Sequence, residues 1–366
     1  MTTINEIFQQ FGTEYIETFG ASMPQSHLKV IDAIVNCRTG TYGMAFYECE
    51  KCHQHHMVNR SCGNRHCPLC QGHKTRVWLE RQLDRQLPGH HFMMTFTVPD
   101  QLRFFIRGHQ RVGYAAMFKA SSEAMKRLCT DEKYIGGDLP GFFGVLHTWG
   151  RTMQYHPHIH YVVPGGALSK ADGRWHPSRQ DFYLPVKALS KIFRAKFRHE
   201  IKKQGLLDRI DQKVWTLDWN VNCQAVGTSA NSIGYLAPYV FKVAMSNNRI
   251  IKVENRCVYF RYKKPKSQRW RTMQLDVMEF MRRFLQHVLP TGFMKVRYYG
   301  FLNPNSSVPL DEIETKIQLS YGFDVKLPEK KMTTQSPLNC PHCGGKLIYQ
   351  YSVLPYQLPP EKKEPG

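Results

Sequence analysis

Two C-x2-C pairs, Cys49/Cys52 and Cys67/Cys70, stand a short loop apart in residues 45–72, a stretch rich in Cys, His and turn residues with no helical period. Each pair lets two thiolates bite one ion, and two pairs complete a tetrahedral site. This stretch is therefore expected to fold around structural zinc. Buried free thiols are the alternative, and the polar and charged neighbours of these cysteines argue against it. Cys62, His66 and the His53/His55/His56 group offer further donors. One zinc with spare ligands is the simplest reading, and a second ion using Cys37 or Cys62 stays open. Near the C-terminus, NCPHCGG holds Cys340 and Cys343, half a ribbon with no partner pair nearby in sequence. A metal knuckle and a reduced surface turn are both open there. Eleven cysteines would suit a disulfide scaffold only in a chain much shorter than 366 residues, so a reducing compartment is expected.

A second pattern is QYHPHIHYVV, residues 154–163. In an extended segment, side chains two apart point to one face. His156, His158 and His160 therefore share a side, with Gln154 behind them. Two histidines rarely hold an ion alone. The preceding strand-like run GFFGVLHTWG (141–150) is expected to pair antiparallel with 156–164, which offers His147 as a third donor; Gln154 and His156 are rivals on the same face. Hydrogen-bonded structural histidines are the bland alternative.

The chain carries 50 Lys+Arg against 29 Asp+Glu, a formal charge of +21. An excess of that size predicts attraction to a polyanion, most simply nucleic acid, with strong salt dependence. No run of 18 apolar residues and no signal-peptide pattern is present, so a cytoplasmic protein with no membrane partner is expected. Helices are predicted over two segments within 3–37, from 73 to near Pro88, over 101–128 with a break near Gly108, over 187–205, 229–245 and 274–288. Strands are predicted at 90–98, 141–150, 156–164, 214–223, within 249–263 and at 293–299, followed by a polar tail from about 325.

SANSIGYLAPYVFK places Tyr235 and Tyr239 four apart, on one face of a helix. Alone, that spacing reads most simply as core packing. Beside a histidine metal strand and a basic chain it gains a chemical meaning, because a tyrosine oxygen can attack a DNA phosphodiester.

His158-Ile159-His160 resembles the His-hydrophobe-His motif of the HUH endonucleases. More specifically, CGNRHCPLCQ after a C-x2-C, FTVP, LHTWGR…HPHIHYVVPGG, YLAPYVFKVAMSNNRI and RYYGFL resemble, in the same order, the rolling-circle transposases of the insertion sequence ninety-one type. The similarity runs from about residue 5 to residue 345. It implies an α+β fold: an HUH-type palm with a central antiparallel sheet flanked by helices, preceded by a small helical and zinc-ribbon domain. It implies that His158 and His160, with His147 chosen by strand pairing, hold a catalytic Mg²⁺ or Mn²⁺. Tyr235 and Tyr239 become the nucleophiles, and Cys49, Cys52, Cys67 and Cys70 the zinc ligands, with Cys37, Cys62, His66, Cys340 and Cys343 in reserve. Pro238 lies between the tyrosines and puts their equal roles in doubt.

The organisation expected on this basis is a helical segment (1–44), a zinc ribbon with a basic DNA-binding helix (45–88), a nuclease domain (89–265), a helix–strand region (266–330) and a tail with the second knuckle (331–366). Arg60, Arg65, Lys74, Arg76 and Lys242 are expected to touch DNA. The partners implied are single-stranded DNA with a hairpin at transposon ends, target DNA, and host helicase and replication machinery, the protein being associated with the bacterial nucleoid. No phosphate-binding G-x4-GK[ST] loop is present to drive unwinding. A plasmid or phage replication initiator or relaxase, and a non-catalytic zinc-dependent DNA-binding regulator, are the alternatives.

Overall fold

The computed structural model describes residues 2–228, 230, 233–234, 236, 240, 245–264, 269–322 and 338–355. They group into two compact units. One draws on Met1–His73, Met245–Val288 and Lys331–Gly366, the other on Lys74–Ala244 and Leu289–Lys330. The segments drawn from sequence as 89–265 and 266–330 are thus each divided between the units, while 331–366 joins the N-terminal residues.

In the first unit, α1 (Ile4–Phe19) opens with a capping box. Thr3 Oγ1 accepts from the Glu6 backbone N–H at 3.2 Å, and Glu6 Oε2 accepts from the Thr3 N–H at 3.2 Å. Its stripe Ile4, Ile7, Phe8, Phe11 and Tyr15 is buried. Val30, Ile31 and Ile34 of α2 (Gln25–Val35), and Phe280 and Phe284 of the helix Val277–Leu285, add to the buried apolar residues of this unit. Phe8 meets Phe284 edge-on at 5.2 Å. That last helix starts later than sequence suggested. Trp270–Asp276 is a strand, and the Asp276 carboxylate caps the helix by accepting from the Met278 and Glu279 N–H groups at 2.8 and 3.4 Å. β1 (Met44–Cys49) is flanked antiparallel by β2 (His55–Asn59) and by the tail strand Leu347–Val353.

The second unit is built on a five-stranded antiparallel sheet. β3 (His91–Thr97), β4 (Phe142–Trp149), β5 (Tyr155–Pro164), β8 (Asn220–Gly227) and β12 (Val296–Tyr299) lie in the order β12-β4-β5-β3-β8. Sheet alternation sorts the side chains. Phe92, Met94, Phe96, Phe142, Leu146, Ile159, Tyr161 and Val163 form one core with α5 (Gln110–Cys129) and α6 (Val186–Lys203). Gly144 stands directly opposite Tyr161, and a Cβ there would lie 2.4 Å from its ring; only glycine lets the tyrosine lie across the strand. The other face is covered at one end by Trp78 of α3 (Gly72–Asp84) and by the helical residues Ile233, Leu236 and Val240, packed with Phe143, Val145 and Val162.

The strand predicted at 214–223 begins six residues later. The Asp211 carboxylate accepts from the Lys213 N–H at 2.9 Å and starts a 3₁₀ turn over Gln212–Thr216, and the Trp219 indole donates to the Val214 carbonyl at 3.2 Å. Local side-chain-to-backbone bonds thus outcompete strand pairing there. The helix predicted over 229–245 is described only at the residues named above; Tyr235, Pro238, Tyr239 and Lys242 lie outside the described residues.

Candidate metal centres

His158 is directly opposite His147 in the β4/β5 ladder and opposite Thr97 of β3, and His160 is opposite Thr95. Direct partners share a sheet face. The three imidazoles consequently converge, with ring centroids 4.7–5.3 Å apart and one donor nitrogen from each within 4.8 Å of the others. They lie on the face whose neighbouring end is covered by Trp78, Ile233, Leu236 and Val240, since Val145, opposite His160, belongs to that apolar cluster.

The surroundings set which nitrogen faces the centre. His158 Nδ1 lies 2.7 Å from the His156 carbonyl, which only accepts, so Nδ1 carries the proton and Nε2 keeps its lone pair. His160 Nδ1 lies 2.9 Å from Thr95 Oγ1, which leaves its Nε2 to the centre as well. The His147 ring stacks on Trp149 at 5.0 Å, and the Lys295 ammonium sits 4.6 Å above that indole. Burial, with the neighbouring imidazoles adding to it, holds His147 and His158 well below the ordinary histidine range, and burial holds His160 at about 4. All three are neutral near physiological pH, the state a metal ligand requires.

The rival donors are occupied. Arg103 reaches both Asp100 and His156 Nδ1. A guanidinium only donates, so Nδ1 of His156 is its acceptor and Nε2 bears the proton. His156 therefore buttresses His158 through its carbonyl. Gln154 Oε1 accepts from the Thr152 backbone N–H at 3.2 Å in the turn before β5. Sequence alternation could not separate these residues, because it assigns only a face.

The single zinc tetrad expected from Cys49, Cys52, Cys67 and Cys70 is corrected. The eight cysteines form two groups: Cys37, Cys62, Cys67 and Cys70, and Cys49, Cys52, Cys340 and Cys343. The reason is strand pairing. Leu347–Val353 lies against β1 with Leu347 opposite Cys49, which brings the C-terminal knuckle to the first C-x2-C pair. Cys67 and Cys70 follow the loop after β2 and meet Cys37, just past α2. Sulfur separations of 3.5 and 3.4 Å in the first group, and 3.4 and 3.7 Å in the second, match the spacing of about 3.8 Å that tetrahedral Zn–S bonds of about 2.3 Å impose.

Each knuckle in the second group also receives a backbone N–H on one of its sulfurs, from Lys51 on Cys49 and from Gly345 on Cys343, both at 3.4 Å. The Cys52 backbone N–H holds the Cys49 thiol down at about 6, and in the first group Cys62 holds Cys67 at about 5. His66 is buried but belongs to neither group, while His56 Nε2 lies 3.2 Å from Cys340 Sγ, a neighbour that spacing did not suggest. A Cβ on Gly345 would sit 2.9 Å from Cys49 Sγ and 2.8 Å from Lys51 Cβ. Gly345→Ala is expected to weaken zinc at this group about 10- to 100-fold in a chelator competition, with the other group unchanged.

The predicted DNA contacts differ in availability. Lys74 is exposed on α3, Arg76 lies 3.9 Å from Glu80, and Arg60 and Arg65 are half-buried, with burial lowering the Arg65 pKa. The basic helix α6 buries Leu189, Phe193, Phe197 and Ile201 against the sheet, and the pairs Lys196–Glu123 (2.8 Å) and Lys119–Glu200 (3.0 Å) tie it to α5.

Two cysteine groups, a histidine cluster and a basic chain suit a metal-binding protein that acts on a polyanion, and comparison with known proteins names the class. Residues 7–98 match the IS91 family model described as "Transposase zinc-binding domain", and residues 141–308 match the model described as "Putative transposase". "Putative transposase y4qJ" of Sinorhizobium fredii is 32% identical over 319 residues, 82% of this chain and 80% of that protein. "Transposase for insertion sequence element IS801" of Pseudomonas savastanoi pv. phaseolicola is 24% identical over 357 residues, 89% of this chain and 84% of that protein. No solved structure matches the chain. The chain belongs to the IS91-type transposase family. It acts on DNA and carries structural zinc, and among the described residues no helix is long and apolar enough to cross a membrane.

Proposed function

We propose that this transposase nicks single-stranded transposon ends through a tyrosine, at a divalent cation held by His147, His158 and His160, and rejoins the strands in rolling-circle transposition. The observation that carries the reading is the convergence of three buried, neutral imidazoles on one sheet face. A bound Mg²⁺ or Mn²⁺ would polarise the scissile phosphate and stabilise charge developing on it. Tyr235 or Tyr239 supplies the nucleophile. Its oxygen bonds to phosphorus, the 3′-oxygen leaves and takes up a proton, and a 5′-phosphotyrosine remains. The phosphodiester energy stays in that link, so rejoining by a 3′-hydroxyl needs no ATP. The second tyrosine serves the other end or the target, and the released 3′-hydroxyl primes host replication. Further support comes from Ile233, Leu236 and Val240, which pack on the sheet face that also carries His160 and belong to the segment containing both tyrosines.

The donor set bears on the metal. Imidazole nitrogens suit first-row transition ions better than Mg²⁺, which prefers oxygen ligands. Nicking is therefore expected to run at least about tenfold faster in Mn²⁺ than in equimolar Mg²⁺. Equal rates would argue for a carboxylate-rich site elsewhere.

The experiment is capture of an SDS-resistant protein–DNA adduct on a single-stranded oligonucleotide bearing the element's end. Tyr235→Phe, Tyr239→Phe and the double variant are compared. An adduct that persists in the double variant overturns the tyrosine assignment. No adduct at all, with DNA binding intact, favours a non-catalytic regulator.

The histidines also set a pH dependence. The folded imidazoles hold protons more weakly than unfolded ones, so protons favour the unfolded chain below the ordinary histidine pKa. Without added metal, stability is expected to fall as pH drops from about 6.5 towards 4 and to be flat just above that window. Urea unfolding across this range checks the sign, and His160→Asn should flatten the slope.

A further inference from the structure

A three-stranded sheet in the first unit plays no part in either kind of metal centre. β9 (Ile250–Glu254), β10 (Cys257–Lys263) and β11 (Trp270–Asp276) pair antiparallel with β10 central. Val258 and Phe260 of β10 are fully buried, so the alternate residues Tyr259, Arg261 and Lys263 share the opposite face. The ladder adds Lys252 opposite Tyr259, Thr272 opposite Arg261 and Trp270 opposite Lys263.

Three features set this face apart from an ordinary solvated sheet. Trp270 is 54% exposed on it, a large indole left in water on a strand. Cations flank its two rings: the Arg261 guanidinium at 5.9 Å and the Lys263 ammonium at 5.2 Å from Trp270, and the Lys252 ammonium at 5.1 Å from Tyr259. Charge is one-sided as well. Residues 255–275 contain seven Lys or Arg and no Asp or Glu. The two acidic residues of the sheet stand at its far end, where Glu254 pairs with Lys252 at 2.6 Å and Asp276 caps a helix.

We infer that this face binds single-stranded DNA, with bases stacked on Trp270 and Tyr259 and the backbone followed by Arg261, Lys263 and Lys252. Flat rings interleaved with cations recognise a strand whose bases are unpaired, because a duplex hides its base faces in its own stack. Tyr259 and Lys263 are four residues apart, about 13 Å along the strand, a span of a few nucleotides. Recognition of this kind is tolerant of sequence, since every base offers a π-face. The surface would hold strand displaced during transposition; the inference rests on the family's action on DNA and not on the tyrosine chemistry.

The test is fluorescence anisotropy of a labelled oligothymidine and of a duplex of equal length, using the full chain without added Mg²⁺ or Mn²⁺. Trp270→Ala and Tyr259→Ala are each expected to weaken single-strand binding about tenfold while changing duplex binding less than about twofold. Trp270→Phe should restore most of the loss. Removing both Arg261 and Lys263 should reduce the slope of log affinity against log salt by about 1.4. Zinc content of each variant reports that the fold is intact. The assay contains no Mg²⁺ or Mn²⁺ and reads binding alone, which keeps failure of this surface distinct from failure of the nicking centre. The inference is overturned if the double variant Trp270→Ala/Tyr259→Ala keeps single-strand affinity within about twofold of wild type with zinc retained. It is equally overturned if single strand and duplex lose affinity alike.

Discussion

His158→Ala is expected to abolish metal-dependent nicking, by about a thousandfold or more, while leaving zinc content unchanged. The magnitude follows from position. His158 lies opposite His147 and two residues from His160, one of three imidazoles whose donor nitrogens converge. Without it two imidazoles remain, too few to hold an ion firmly, and an ion's stabilisation of transition-state charge is worth several kcal/mol. The protein should still fold, because the alanine removes a buried polar ring from a face whose apolar core lies elsewhere on the sheet. Single-turnover nicking at saturating Mn²⁺ reads the loss. An activity within about tenfold of wild type would place the catalytic metal elsewhere. Arg103→Ala tests the same geometry more gently. It frees His156, whose carbonyl fixes the His158 tautomer, and should raise the metal concentration needed for half-maximal rate about 10- to 100-fold.

Cys340→Ser combined with Cys343→Ser is expected to reduce bound zinc from two ions to one per chain and to unfasten the C-terminal strand. Each group supplies four thiolates, and two of the four cannot hold zinc tightly. Zinc at such sites contributes on the order of 10 kcal/mol of apparent binding energy, which is also folding energy. The strand Leu347–Val353 pairs only with β1 among the described residues, so losing the ion should expose it to protease. Zinc analysis of the purified protein, followed by limited trypsinolysis, reads both consequences. Cys37→Ser should remove the other ion and spare the tail. A zinc count unchanged from wild type in the Cys340/Cys343 variant would restore the sequence-adjacent tetrad of Cys49, Cys52, Cys67 and Cys70.

Much of the second unit was legible in the chain. Strand alternation put His158 and His160 on one side, and the short polar link between residues 150 and 156 implied the antiparallel partner carrying His147; both are local rules of extended chain. The break near Gly108 was also legible, and the helix stops at His109 before resuming at Gln110. Less local features were not. Residues 274–276 read as the start of a helix, and only pairing with Cys257, Val258 and Tyr259 makes them the end of a strand. The division into units was hidden for a related reason: residues 245–288 and the tail reach the N-terminal unit through contacts far apart in sequence.

By itself the sequence determined the chemistry available to this transposase: thiolate pairs at knuckle spacing, imidazoles at strand spacing, a basic excess and two tyrosines four residues apart. Tertiary structure decided which of these groups meet. It joined Cys49 and Cys52 to cysteines some 290 residues away, within sulfur distances of 3.4 and 3.7 Å, and left Cys67 and Cys70 to Cys37 and Cys62. It also brought His147 to His158 and His160, while His156 and Gln154 have other partners. Spacing along a chain constrains only neighbours a few residues apart, whereas ligand sets are closed by sheet register and by competition for hydrogen bonds, and both belong to the folded chain as a whole.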